Sequence, residues 1–92
     1  MHTHTQRKII KALLEERDRQ DRKWGGPKHD DQHTFEEWCG FIRERVRERD
    51  DSELEMIGTS EEIRIYIETG ALAIAALESL LRREVDDLLR TP

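Results

Sequence analysis

The sequence predicts an all-α protein of three to four helices that packs as a homo-oligomeric bundle. Apolar residues recur at helical spacing along much of the chain, and the last predicted helix is apolar on nearly every side. A chain of 92 residues makes at most one domain, so we assign residues 1–92 to a single helical domain. Two other short helices cannot bury a helix that is apolar all round. We therefore expect a homo-oligomer, most simply a two-fold dimer centred on residues 63–77.

The first helix is predicted to start at Thr3 or Thr5, as its N-cap, and to run to about Arg22. Its apolar stripe consists of Ile9, Ile10, Leu13 and Leu14. Two glycines and a proline at positions 25–27 end it, because glycine permits positive φ and proline has no N–H to donate. The polar residues 25–33 are expected to form a loop.

The second helix is predicted to open at Thr34, as its N-cap, and to continue to about Arg49. Two glutamates in its first turn, Glu36 and Glu37, complement the helix dipole. Its apolar stripe consists of Phe35, Trp38, Cys39, Ile42 and Val46. We interpret Cys39 as a small buried apolar residue, since no charged neighbour is placed to lower its pKa.

The third long helix follows a predicted loop over residues 50–58. Thr59 and Glu62 have the spacing of a capping box, with Thr59 as the N-cap, immediately before the apolar run that begins at Ile63. Beyond Ser79 the apolar pattern narrows to that of an ordinary amphipathic tail. We expect the central part of this helix to form the subunit interface.

Composition excludes several classes of protein. The longest apolar run, residues 71–77, is far shorter than the ~20 residues of a membrane helix, and the N-terminus has no apolar signal segment. We therefore expect a cytoplasmic protein with no membrane partner. Sixteen basic against 21 acidic residues disfavour binding to duplex nucleic acid. A single cysteine permits neither an internal disulfide nor a cysteine-based zinc cluster.

Two acidic pairs are candidate metal ligands. Glu44 and Glu48 lie one turn apart on the same face of the second long helix, and one or two carboxylates are what a Mg²⁺ ion bound with phosphates usually takes from a protein. Glu68 and Glu78 are the only acids between residues 63 and 81, and each needs a partner, a metal ion or an exposed groove. The alternative is that Glu44 and Glu48 form solvated ion pairs with the neighbouring arginines.

The end of the first helix brings together two cations, an amide and an indole: Arg19, Gln20, Lys23 and Trp24. Trp24 has the chemistry to stack on a base or a cation, and it could equally pack the helix end against the core. Metal-ligand atoms also occur in His2 and His4, and in the segment His29-Asp30-Asp31-Gln32-His33. We favour a frayed terminus for the first two histidines and an ordinary turn with a helix entry for the segment.

A group of residues resembles small phage and bacterial MazG-like proteins. The matching residues are Arg19, Gln20, Lys23, Trp24, Gly25, His29, a helix opening near Trp38, and Glu78, Ser79 and Leu80 at the end of the last helix. The resemblance spans roughly residues 15–80. It implies an all-α, dimeric or tetrameric protein that splits nucleoside triphosphates into monophosphate and pyrophosphate with Mg²⁺.

The sequence departs from this family in its metal-binding carboxylates. The family pattern E-E-x-x-E corresponds here to residues 44–48, where Arg45 replaces the middle acid, and the pattern E-x-x-D keeps only its last acid, as Glu68. The resemblance therefore implies an incomplete magnesium site of Glu44, Glu48 and Glu68, with Glu44 and Glu48 as the catalytic residues. Arg45 opposes a divalent ion at this point but is well suited to bind phosphate directly.

We therefore expect the protein to bind a nucleotide or a nucleotide-derived small molecule between its helices, without efficient turnover, as a phage protein that sequesters a host nucleotide would. The expected ligand-binding residues are Arg19, Gln20, Lys23, Trp24, His29, Trp38 and Arg45. One alternative is Mg²⁺-dependent hydrolysis of nucleoside triphosphates. Another is an acidic inhibitor module, because residues 34–92 carry eight basic and fifteen acidic groups, a balance of −7. In that module Arg19, Lys23 and Trp24 would be dispensable.

Overall fold

A computed structural model describes residues 1–50 and 58–83 of the chain, and the side chains of residues 1–47 and 58–83. These residues form four helices: α1 (His4–Trp24), α2 (Pro27–Asp30), α3 (Phe35–Asp50) and α4 (Thr59–Arg83). No strand occurs within the described ranges. The all-α class is thus confirmed. The predicted loop at 50–58 and the predicted tail beyond 83 lie largely outside the described residues.

Two of the predicted N-caps have the expected geometry. In α1, the Thr3 hydroxyl accepts the amide of Gln6 at 3.0 Å, and the Gln6 side chain accepts the amide of Thr3 at 2.9 Å. In α3, Thr34 and Glu37 make the same reciprocal pair at 3.2 and 2.8 Å. Hydrogen bonds from Thr34 lower the pKa of Glu37. Both helix starts are therefore fixed by local side-chain chemistry, as such boxes usually are.

The start of α4 differs from the prediction by one residue. The amide of Glu62 donates to the carbonyl of Gly58 at 3.0 Å, so Gly58 is the N-cap and Thr59 is already helical. Glu62 accepts instead from the Tyr66 hydroxyl at 2.8 Å. The expected capping box at Thr59 is wrong, because glycine is itself an acceptable N-cap and the helix begins one position earlier.

Residues 25–33 are not the plain loop that we expected. Gly25 ends α1 with φ of 101°, and Gly26 follows with φ of 74°. Pro27 then opens the one-turn helix α2, and the Gly26 carbonyl accepts the amides of both His29 and Asp30 at 3.1 Å. Proline is favoured at the first helical position because its φ is already helical and it has no amide to leave unpaired.

Helix α4 lies at the centre and packs against α1, α2 and α3. Its buried face consists of Ala71, Leu72, Ala75 and Ser79. Gly70 permits the close approach of α1, since a Cβ there would lie 2.9 Å from Leu13 Cδ2. The core joins Leu72 and Ala75 to Trp38 of α3. One chain therefore shelters one face of α4, whereas Ile63, Tyr66 and Leu77 stay at least half exposed. No helix in the described ranges is both long and apolar enough to cross a membrane.

A buried arginine ties α1 to the rest of the fold. Arg17 contacts Glu78 of α4 through Nε at 3.0 Å and through Nη2 at 2.8 Å. Nη2 also lies 2.9 Å from the carboxylate of Asp21 and 3.5 Å from that of Asp30, in α2. Only 7% of the Arg17 side chain is exposed. An acid in this apolar stretch was expected to need a partner, and Arg17 is the partner of Glu78.

A second polar contact holds the residue that follows α2. The carboxylate of Asp31 accepts a hydrogen bond from the Ser79 hydroxyl at 2.8 Å and one from Arg82 at 2.9 Å. These two bonds lower the pKa of Asp31, with Arg82 the larger cause. Since Ser79 is fully buried on α4, the turn after α2 is anchored to the central helix.

Candidate functional site

A cavity of about 380 Å³ lies between the end of α1, α2, α3 and α4. This volume is within the usual range of small-molecule sites. Its lining residues are Trp24, His29, Asp30, His33, Trp38, Phe41, Glu44, Arg45 and Leu72. The wall is thus mostly aromatic, with a cation and two acids among its members, and such a lining with a few polar groups is typical of small-molecule pockets.

Edge-to-face ring contacts build the aromatic wall. The rings of Trp38 and Phe41, one turn apart on α3, have centroids 5.8 Å apart at an interplanar angle of 86°. His33 packs against both, with centroids 5.2 Å from Trp38 and 4.9 Å from Phe41. This geometry is the favourable one for aromatic pairs, and it holds the rings in place without a ligand.

The indole of Trp38 has an unused donor. Trp38 is buried, yet its Nε1 makes no hydrogen bond within the described part of the chain. A buried indole N–H usually finds an acceptor, since leaving it unpaired costs about 1–3 kcal/mol. Nε1 itself has almost no accessible surface, so a ligand in the cavity reaches this donor only if a neighbouring side chain moves.

The charges of α1, α3 and α4 converge beside the cavity. Arg19 forms an ion pair with Glu16 at 2.6 Å. Hydrogen bonds from Arg19 lower the pKa of Glu16, and the charge of Arg45 adds to that effect. The pKa of Arg19 is raised mainly by Glu16, with a further contribution from Glu68. Arg19 and Arg45 therefore both act on Glu16 of α1, and Arg19 also interacts with Glu68 of α4.

Asp30 is the buried acid of the cavity wall. Its side chain is 8% exposed, and burial raises the pKa of this carboxyl, an effect that the charge of Arg17 partly opposes. Desolvation disfavours the charged form of an acid, so Asp30 takes up a proton more readily than an exposed aspartate. It offers the cavity an acceptor and, when protonated, a donor.

Two histidines face each other across the turn. His29 Nε2 and His33 Nε2 are 3.2 Å apart, and the ring centroids are 4.8 Å apart at 81°. The other ring nitrogen of His33, Nδ1, lies 3.7 Å from the carboxylate of Glu37. Both histidines line the cavity. From the sequence, we had favoured an ordinary turn at these positions over a group of metal ligands.

The cavity brings together some of the expected site residues. Trp24, His29, Trp38 and Arg45 line it, together with Glu44. The remaining expected residues lie elsewhere. Gln20 is buried between Arg17 and Glu16. Lys23 places its Nζ 5.2 Å from the Trp24 ring centroid. The side chains of Lys23 and Arg19 are both described, and neither lines the cavity.

The expected magnesium ligands are only partly described. Glu44 is exposed at the cavity and Glu68 is half buried on α4, while the side chain of Glu48 lies outside the described residues. Among the side chains of 1–47 and 58–83, no three or more His, Cys, Asp or Glu residues form a group that could hold a metal ion. Cys39 is half buried, and its thiol is free.

Sequence reasoning missed Asp30, His33, Phe41 and Leu72 as cavity residues, and it missed Arg17 as the support behind them. In the sequence, Phe41 and Leu72 are recognisable only as apolar residues. An apolar residue can lie in a cavity wall or in the core, and the sequence does not distinguish the two. Arg17 has one local signal, the i,i+4 spacing to Asp21. Its contact with Glu78 joins residues 61 positions apart, which spacing along one helix cannot reveal.

Comparisons of the chain with protein-family models, with curated proteins and with solved structures found no match.

Proposed function

We propose that this protein binds a nucleotide or a nucleotide-derived small molecule in the cavity between its helices, without efficient turnover. The observation that carries the proposal is the aromatic wall of a cavity that Arg45 also lines. A purine or pyrimidine ligand has flat faces that stack on aromatic rings and edge atoms that accept hydrogen bonds. Its phosphate groups match the planar donor set of an arginine.

The charges around the cavity favour binding over hydrolysis. Metal-assisted phosphate chemistry needs carboxylates that are free to hold Mg²⁺. Here Arg19 and Arg45 act electrostatically on Glu16, and Arg19 interacts with Glu68, which is one of the expected metal ligands. Part of the negative charge is thus already offset by the protein. The resemblance to MazG-like proteins agrees with a nucleotide ligand, and its incomplete carboxylate pattern agrees with weak turnover.

The first test is a calorimetric titration with linear and cyclic nucleotides, using Arg45→Ala and Arg43→Ala side by side. Hydrogen bonds to charged groups contribute about 1.5–3 kcal/mol, so Arg45→Ala is expected to weaken the best ligand about 10- to 100-fold. Arg43 is an exposed neighbour on the same helix and does not line the cavity. Arg43→Ala should therefore bind like the wild type.

Two results would count against the proposal. If no nucleotide binds the wild type, the proposal is wrong. If Arg43→Ala and Arg45→Ala weaken binding equally, the phosphate is held by general charge and not by the cavity. Pyrophosphate release from a nucleoside triphosphate with Mg²⁺, abolished by Glu48→Ala, would instead establish hydrolysis.

We also propose that the functional unit is a homodimer. Ile63, Tyr66 and Leu77 of α4 are 50–64% exposed in the single chain, and Ile9, Ile10 and Leu14 of α1 are 41–55% exposed. The buried apolar core within the described residues is small: Trp38, Ala71, Leu72 and Ala75. A second copy that covers these exposed side chains would supply the burial that a short chain lacks.

A further inference from the structure

We propose that His29 and His33 form a two-imidazole site for a divalent transition-metal ion, with Zn²⁺ as the reference ion. Their Nε2 atoms lie 3.2 Å apart. Two imidazoles bound to one tetrahedral zinc at ~2.0–2.1 Å each would have their nitrogens ~3.3–3.4 Å apart. The pair is therefore already at the spacing that a shared metal ion requires.

The backbone holds this pair in place. The carbonyl of Gly26 accepts the amide of His29, and the carbonyl of Asp30 accepts the amide of His33 at 3.2 Å. The His33 ring is also packed against Trp38 and Phe41, and its side chain is 16% exposed. A ligand pair that is positioned before the ion arrives loses little conformational freedom on binding.

Glu37 places a carboxylate near the ring nitrogen through which a metal-bound histidine usually donates a hydrogen bond. Its Oε1 lies 3.7 Å from His33 Nδ1. A carboxylate near one ring nitrogen favours the proton on that nitrogen and leaves the lone pair on the other, which here is Nε2 facing His29. Without a metal ion, one Nε2–H can donate to the other Nε2, so a simple hydrogen bond is the competing interpretation.

The ligand types select the ion. Imidazole nitrogens suit Zn²⁺, Cu²⁺ and Ni²⁺, whereas Mg²⁺ prefers oxygen ligands. No third His, Cys, Asp or Glu among the described side chains completes a larger group. The remaining coordination positions therefore belong to water or to an anionic group in the cavity that both histidines line. The proposal does not depend on nucleotide binding.

The test is a calorimetric titration with Zn²⁺ alone, in the His2→Ala/His4→Ala background, which removes the other two histidines of the chain. One ion per chain is expected. His29→Ala and His33→Ala should each weaken Zn²⁺ binding at least ~10-fold, since each removes one of two ligands. Circular dichroism of each variant checks that the fold is retained, and His29→Gln gives a polar replacement for the first ligand.

A matched pair of glutamate variants separates a metal site from a hydrogen bond. Glu37→Gln keeps the capping box with Thr34, because glutamine also serves at that position, but removes the carboxylate beside His33. It should weaken Zn²⁺ binding about 10- to 100-fold. Glu36→Gln, an exposed neighbour, should leave it unchanged. Absence of Zn²⁺ uptake, or uptake that persists in His29→Ala and His33→Ala, would overturn the proposal.

Discussion

Arg17→Met is expected to lower the free energy of unfolding by about 2–4 kcal/mol. Removing one partner of a fully buried ion pair costs about 3–5 kcal/mol, and the cost here is lower because the side chains of Asp21 and Glu78 are 38% and 44% exposed. In the variant, the buried carboxylate of Asp30 loses its nearby cation on α1. Glu78 loses both of the hydrogen bonds that it accepts from Arg17. A chain of this size has a total stability of about 5–14 kcal/mol, so the change removes a large share of the stability. Urea denaturation followed by circular dichroism measures the change.

The loss of stability caused by Arg17→Met should become smaller as the pH falls. Burial raises the pKa of Asp30 above its ordinary value of 3.8, and the charge of Arg17 opposes that rise. Without Arg17 the folded-state pKa rises further. An acid whose pKa is raised on folding stabilises the protein below its unfolded pKa, and this stability is lost as the pH rises through the folded pKa. Arg17→Met should thus be closest to the wild type near pH 4, and Asp30→Asn should partly rescue it at pH 7.

Arg22→Met is the matched control. Arg22 is an exposed arginine on the same helix, so its replacement should change stability by less than about 0.5 kcal/mol. If Arg17→Met and Arg22→Met unfolded at the same urea concentration as the wild type, the Arg17 contacts would not support the fold.

Leu14→Glu is expected to convert the proposed dimer to a monomer. Leu14 is 55% exposed in the single chain and lies on the apolar stripe of α1 with Ile10. Burying a leucine contributes about 1.5–3 kcal/mol, and a buried carboxylate adds a desolvation cost. The dimer dissociation constant should therefore rise at least ~100-fold. Light scattering should give about twice the 11.0 kDa chain mass for the wild type and the chain mass for the variant.

Gln32→Glu adds the same charge in the turn after α2, where the side chain is exposed, and should leave the dimer intact. A wild-type protein that remains an 11.0 kDa monomer up to its solubility limit would contradict the homodimer proposal. The homodimer proposal would also be contradicted if Gln32→Glu dissociated the dimer as readily as Leu14→Glu does, because the effect would then come from the added net charge.

The local signals in the sequence predicted the three long helices well. Thr3 and Thr34 act through side chains three residues away, and this interaction is visible in the order of the residues. The one-turn helix α2 was missed because polar turn residues look the same whether or not one helical turn forms. Its formation depends on the backbone angles of Gly26 and on Pro27 at the first helical position.

The candidate site was harder to predict because it depends on which way each helix face points. Arg19, Gln20, Lys23 and Trp24 are close in sequence, and we expected them to act together. Of these four, only Trp24 lines the cavity, since Gln20 turns towards Arg17 and Arg19 pairs with Glu16. The partners that decide these directions, such as Glu78, come from a helix distant in sequence.

The most direct test of the nucleotide-binding account uses the two tryptophans of the chain, Trp24 and Trp38, which give two indole N–H signals in a ¹H–¹⁵N spectrum. Both residues line the cavity, and the Nε1 of Trp38 is a buried donor without a partner in the described structure. Adding the nucleotide that binds best should shift both signals, because both rings line the cavity. Arg45→Ala should need more nucleotide for the same shift. If both indole signals stay in place while the nucleotide binds, the ligand lies outside this cavity and the account is wrong.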